Sequence, residues 1–289
     1  MIYTIKNDFL TVCVNDFGAE IQSIKSSKTG FEYLFQGDEV NWGGKCPILF
    51  PICGRLHNKT YTYKGKTYTM GTHGFASKSV FALKDKSNES LTFSLKSNEE
   101  TRAQYPFDFE FIITFALDKN TLKQDVSVVN LSDETLPFAL GFHPGFNALA
   151  DTPIREHSIT FNEKCEPISL GFNPFGYCNG KDFSLKLEND TKLTITDDLF
   201  DNDSTFLSEI PNEATFTCAN SSKSVVLKYS DMTHLGLWTA VGAPFVCIEP
   251  WHGIPGRENV IEDFENRKLF IYLDKGKTYK TFFNIEINE

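Results

Sequence analysis

Positive charge is in short supply in this sequence. Its 28 lysines and arginines stand against 38 aspartates and glutamates, a formal net charge of −10, and no basic stripe reverses the balance locally. Such a chain repels nucleic acid and anionic membrane surfaces, which argues for a small neutral or weakly charged ligand. Long apolar runs are missing as well. No segment approaches the roughly 20 apolar residues of a membrane helix, so neither nucleic acid nor membrane is an expected partner. The opening MIYTIKNDFLTVCVNDFG has no basic region ahead of an apolar stretch, so no signal peptide is read and a cytoplasmic protein is expected. Seven cysteines at 13, 46, 53, 165, 178, 218 and 247 form no C-x-x-C pair. They read as small core residues of a reducing compartment rather than a disulfide framework.

Catalytic signatures are equally scarce. The chain has no G-x-S-x-G elbow, no G-x-x-x-x-G-K-[ST], no G-x-G-x-x-G and no H-E-x-x-H, which argues against serine hydrolases, P-loop enzymes, dinucleotide enzymes and zincins. The histidines at 57, 73, 143, 157, 234 and 252 include no i,i+2 or i,i+4 pair, so nothing local seeds a metal site and none is expected.

What the chain does have is period-two patterning. Leu10, Val12 and Val14 alternate with polar neighbours, as do Leu91, Phe93 and Leu95. Phe109, Phe111, Ile113, Phe115 and Leu117 lead to a turn at Asp118, Lys119 and Asn120 and a return through Val126 and Val128, a long hairpin. Further strands are expected at 193–196, 224–229, 235–239, 245–249 and 279–287, and no window predicts a capped helix. The class is all-β. The 27 phenylalanines, mostly on alternating strand positions, suit the gap between sheets packed about 10 Å apart, so a large β-sandwich is expected. No linker, repeat or low-complexity tract interrupts it, and residues 1–289 read as one domain.

On such a scaffold chemistry gathers where polar residues interrupt strand ends and turns. Five places stand out: Arg55 in GRLHNKTYTYKGKTY, His73 in GTHGFA, His143 in GFHPGF, Asp203 in LFDNDSTFL, and Glu249 in VCIEPWHGIP, where a lone carboxylate is expected to close an apolar strand. His73 and His143 share a setting, an imidazole followed by Gly or Pro and then Phe, that reads as a turn. Local sequence alone favours structural roles for turn histidines and leaves Glu249 balanced between a solvated strand end and a working acid. Taken together, two acids, two imidazoles and a guanidinium suit proton transfer on a hydroxyl-rich molecule, which points to sugars. Arginine's planar fork matches neighbouring hydroxyls. Pro250 holds Glu249 extended, and partial burial would raise its pKa. Asp198 and Asp201 compete with Asp203 for the acid's place. Trp251 reads as core, and His57, His157, His234 and His252 as structural.

In order, GRLHNKTYTYKGKTY, HGF, HPGF, NDSTF and CIEPWHG resemble the aldose 1-epimerase (galactose mutarotase) family, in particular its shorter bacterial branch. The resemblance implies a large antiparallel β-sandwich that interconverts the α and β anomers of free aldoses with neither metal nor organic cofactor. It implies Glu249 as general base on the anomeric O1 hydroxyl and His143 as general acid on the ring oxygen, with Arg55, His73 and Asp203 holding the sugar. A small-molecule sugar is then the partner of a monomer or weak homodimer. Two departures bear on the substrate. Ser77 stands where relatives that act on hexose 6-phosphates have a phosphate-binding arginine, with Lys78 next to it, and Pro-Trp-His-Gly follows the glutamate where galactose-specific members differ. Action on a free hexose such as galactose or glucose is expected. The alternatives are a hexose 6-phosphate mutarotase and a non-catalytic sugar-binding protein, and a glycoside hydrolase lacks a secure second carboxylate.

Overall fold

A computed structural model describes residues 1–289. Strands account for 47% of the chain and helix for 7%, so the all-β expectation holds. Nine strands form one antiparallel sheet in the order Lys192–Thr194, His157–Phe161, Glu213–Cys218, Ser224–Tyr229, Thr278–Asn288, Thr121–Asn130, Phe109–Asp118, Ser90–Lys96 and Ala82–Lys86. The hairpin read from the sequence lies at its middle, with Asp118 paired to Thr121. The second sheet runs Phe183–Ser184, Ile168–Ser169, Thr205–Ser208, His234–Trp238, Phe245–His252, Leu140–Phe142 and Ile48–Leu49, and Gly145–Asn147 also pairs with Phe245–His252. The sheets share one apolar core: Phe142 of the second packs on Phe283 of the first with ring centroids 4.9 Å apart.

Two expectations need correction. A short helix, Glu99–Gln104, does form; Asn98 caps it, accepting from the Thr101 N–H while the Thr101 hydroxyl accepts from the Asn98 N–H, a capping box with threonine in the usual glutamate's place. The strand expected to end at Glu249 continues to His252. Pro250 removes one N–H without ending the strand, which stays paired to His234–Trp238 from Cys247 to Trp251.

That strand organises the site. Val246 and Ile248 face the core, so Cys247, Glu249 and Trp251 face the other side of the sheet. Each of the three has a glycine opposite it on a flanking strand: Gly145 faces Cys247, Gly236 faces Glu249 and Gly141 faces Trp251. A Cβ on Gly236 would lie 2.4 Å from the Phe206 ring, one on Gly145 2.9 Å from Trp42, and one on Gly141 2.7 Å from Trp251. The bare backbone thus makes room for aromatic rings to lie over the sheet.

Gly236→Ala is expected to lose about 1–3 kcal/mol of stability, because the buried Phe206 ring must shift. Gly43→Ala, at a position with open space around it, is expected to stay within about 0.5 kcal/mol of wild type. Urea unfolding followed by circular dichroism measures both. Equal stability of the two variants would contradict this account of the sheet surface.

Candidate active site

The five residues singled out in the sequence line one cavity of about 200 Å³, together with Trp42, Gly54, Thr72, Phe172, Gly176, Ser204, Phe206, Trp238, Trp251 and Pro255. His143 and Glu249 meet across strands. Leu140 pairs with His252, Gly141 with Trp251, and Gly145 with Cys247. Continuing that register through the gap sets His143 opposite Glu249. The ladder opens there because Pro144 and Pro250 have no N–H to donate, and the Ile248 N–H to Pro144 carbonyl bond, 3.1 Å, spans the opening. Facing side chains on antiparallel strands have Cβ atoms about 5 Å apart, and His143 Nε2 lies 3.3 Å from Glu249 Oε2. His143 is therefore no turn residue, and Glu249, only 1% exposed, is no solvated strand end.

His73 does sit in a turn. Its φ of +63° and that of Gly74, +73°, are left-handed. A side chain on Gly74 would strike the Phe50 carbonyl at 2.2 Å, so only glycine fits. The Gly54 N–H donates to His73 Nδ1 at 3.1 Å, which makes Nδ1 the acceptor and leaves the proton on Nε2. Arg55 follows Gly54 and donates from Nη1 to the Phe175 carbonyl at 2.5 Å. Asp203 stands at the exposed rim with a left-handed φ of +80°. Its carboxylate and the Arg55 guanidinium both crowd Gly176, within 2.8 and 3.2 Å of where a Cβ would be. Asp203 is thus the acid of its turn that reaches this cavity, whereas Asp198 lines a neighbouring one. Non-glycine residues in left-handed conformations cost about 1–2 kcal/mol each, and such strain collects at functional sites.

The site is also aromatic to a degree the sequence reading missed. All three tryptophans of the chain line it. Trp42 stacks on His143 with centroids 5.0 Å apart and planes 24° apart, Trp238 meets His143 edge-on, and Phe206 packs on Trp251 at 4.4 Å. Trp251, read as core, is buried at 3% exposure yet lines the cavity. Alternation offers a clue for Trp251, two residues after Glu249. Nothing local marks Trp42, which comes from a distant loop. The four histidines read as structural lie outside. His157 accepts from the Leu149 N–H through Nε2, His234 bonds Thr233, and His252 contacts the Asp231 carbonyl.

Burial dominates the electrostatics. It pushes the Glu249 carboxyl well above the usual range; the Asp203 charge adds to this, while the nearby Trp251 indole N–H favours the anion. Burial pushes His143 down to about 4, opposed by its own backbone. His73 is driven well below its usual value by burial and then by His143, Arg55 and Lys78. Partial burial raises Asp203, against the pull of Arg55. Both shifts favour the neutral forms of the Glu249–His143 pair.

Comparison with known proteins identifies the family. The aldose 1-epimerase family model matches residues 1–286. The chain belongs to that family. Among its relatives, the plasmid-encoded protein LacX of Lactococcus lactis is 32% identical, the match covering 96% of this chain and 97% of LacX. Of solved structures, a galactose mutarotase related enzyme from Lactobacillus acidophilus is 35% identical with a TM-score of 0.92, covering 100% of this chain and 98% of that one. A galactose mutarotase-like protein from Lactobacillus casei is 30% identical with a TM-score of 0.93, and both chains are fully covered. The sandwich is thus the galactose mutarotase-like fold. No helix is long and apolar enough to cross a membrane.

The Glu249 shift has a consequence for stability. With its folded pKa above the unfolded carboxyl's value near 4.3, the folded protein holds a proton that the unfolded chain has released, so stability falls as pH rises between the two. Glu249→Gln removes that loss. At pH 8 its melting temperature is expected to equal or exceed wild type, the gap narrowing towards pH 5. Thermal melts across this range test it, and a variant clearly less stable at pH 8 would show that the fold favours the carboxylate.

Proposed function

We propose that the protein is an aldose 1-epimerase that interconverts the α and β anomers of a free hexose such as galactose or glucose. The observation that carries this reading is the His143 Nε2 to Glu249 Oε2 separation of 3.3 Å at the floor of an aromatic, partly open cavity. O1 and the ring oxygen O5 share one carbon, so an acid and a base held this close can serve both oxygens at once. Arg55, His73 Nε2–H and Asp203 offer donors and an acceptor for the remaining hydroxyls, and the tryptophans offer apolar faces for the C–H side of the ring.

In ring opening Glu249 takes the O1 proton while His143 gives its Nε2 proton to O5. The O1–H electron pair becomes the C1=O1 π bond, and the C1–O5 pair leaves with O5. The step consumes a buried carboxylate and imidazolium and leaves a neutral acid and a neutral imidazole, the forms that burial favours. Rotation about C1–C2 turns the other aldehyde face to O5. Closure then runs the proton transfers backwards, with Glu249 as acid and His143 as base, and both groups return to their starting state. No step calls for a metal or organic cofactor. Arg55 is the one lysine or arginine lining the cavity, and Lys78 is not part of that lining, which favours free hexoses over their phosphates.

Polarimetry of fresh α-D-glucose and α-D-galactose tests the reading. Wild type is expected to accelerate mutarotation, and Glu249→Gln and His143→Asn to lose about 10²–10⁴-fold of that rate. Sugar affinity should change by only about 1 kcal/mol. His252→Asn, outside the cavity, should stay within a few-fold. Because every tryptophan lies in the cavity, intrinsic fluorescence reports sugar binding directly. Sugar binding without acceleration would make the protein a non-catalytic binder, and near-normal turnover by folded Glu249→Gln would remove the base from its assigned role.

The working form carries one proton on the pair, so kcat/KM should be bell-shaped. The acid limb should lie near pH 4, where His143 retains its proton and Glu249 can no longer act as base, and the alkaline limb should appear where the pair loses its last proton. A limb near pH 6.5 instead would mean an unperturbed imidazole governs the rate.

A further inference from the structure

We propose that His143, Cys247 and Glu249 also form a binding site for a thiophilic divalent cation, Zn²⁺ or Cd²⁺, at the cavity floor, where His143 and Glu249 line the cavity and the buried Cys247 stands next to them outside its lining. The histidine spacing in the sequence excluded only a local metal motif, and here the three ligands come from two strands. Their donor atoms all lie within 4.8 Å of one another, and the imidazole and carboxylate are 3.3 Å apart. A tetrahedral Zn²⁺ with nitrogen and oxygen ligands at about 2.0–2.2 Å holds those two atoms about 3.3–3.5 Å apart, so this pair already has the required spacing. The Cys247 thiol, within 4.8 Å of both atoms, is the third donor.

The backbone preorganises the set. Cys247 and Glu249 are alternate residues on one face of the strand, and His143 stands opposite in register. Independently of spacing, the buried Glu249 Oε2 has no hydrogen-bond partner. A lone-pair acceptor that is 1% exposed and unsatisfied is one that a cation would satisfy. Thiolate with imidazole selects Zn²⁺ or Cd²⁺ over Mg²⁺ and Ca²⁺. Three protein ligands leave a fourth position for water, and binding releases the Cys247 thiol proton to solvent. The ion would take the positions of both proton-transfer groups, so it inhibits rather than assists. The site stands on geometry alone and does not depend on mutarotation.

The test is a titration of the apo protein with Cd²⁺, followed by the ultraviolet thiolate-to-cadmium charge-transfer band and by tryptophan fluorescence. Trp42 covers Cys247 and His143, so both signals are expected to saturate together at one equivalent, with Mg²⁺ producing neither. Cys247→Ser is expected to lose the band and at least ten-fold in affinity. His143→Asn, which keeps all seven cysteines, should also lose at least ten-fold, and it decides the matter if the serine variant does not fold. No saturable band in wild type, or wild-type affinity in either folded variant, would overturn the site.

Discussion

The antiparallel register that sets His143 opposite Glu249 is the constraint on which the rest of the site depends. It is held on both sides of a gap, by Leu140 and Gly141 pairing with His252 and Trp251 and by Gly145 pairing with Cys247. Two prolines keep the ladder open between them, one on each strand. A slip of one residue would leave the two side chains on opposite faces of the sheet. The sandwich beneath, with Phe142 packed against Phe283, therefore decides where the two side chains meet.

The aromatic surroundings follow from the same strand. Glycines opposite Cys247, Glu249 and Trp251 leave the sheet surface bare, and Trp42, Phe206 and Trp251 fill the space. These rings dry the floor of the cavity, and dryness drives the acid up and the imidazole down. Buried ionisable groups, left-handed residues at His73 and Asp203, and glycines inside strands each cost stability, and all gather around one cavity. Left-handed residues also occur in turns elsewhere in the chain, so it is the burial of Glu249 and His143 together, not backbone strain, that sets this cavity apart.

Much of this was legible in the sequence. Alternation placed the central hairpin and the strand 224–229 correctly because a half-buried strand must alternate. The five polar residues could be picked out because they interrupt that alternation, and the ordered motifs tied them to a family. The short helix escaped because its capping box uses Asn98 and Thr101 rather than a Ser/Thr and Glu pair. The extent of the glutamate strand escaped because Pro250 usually marks a boundary, whereas here its missing N–H coincides with a gap already present in the ladder.

Composition and period thus determined the fold class, and residue type determined which side chains were capable of proton transfer. Only the tertiary structure decided that His143 and Glu249 form a pair. It also decided that Asp203 rather than Asp198 reaches the cavity, that Trp42 arrives from a distant loop, and that Cys247 stands beside both pair members. The reason is that strand pairing joins residues a hundred positions apart, and burial, which sets protonation, belongs to the assembled sheets rather than to any local stretch of chain.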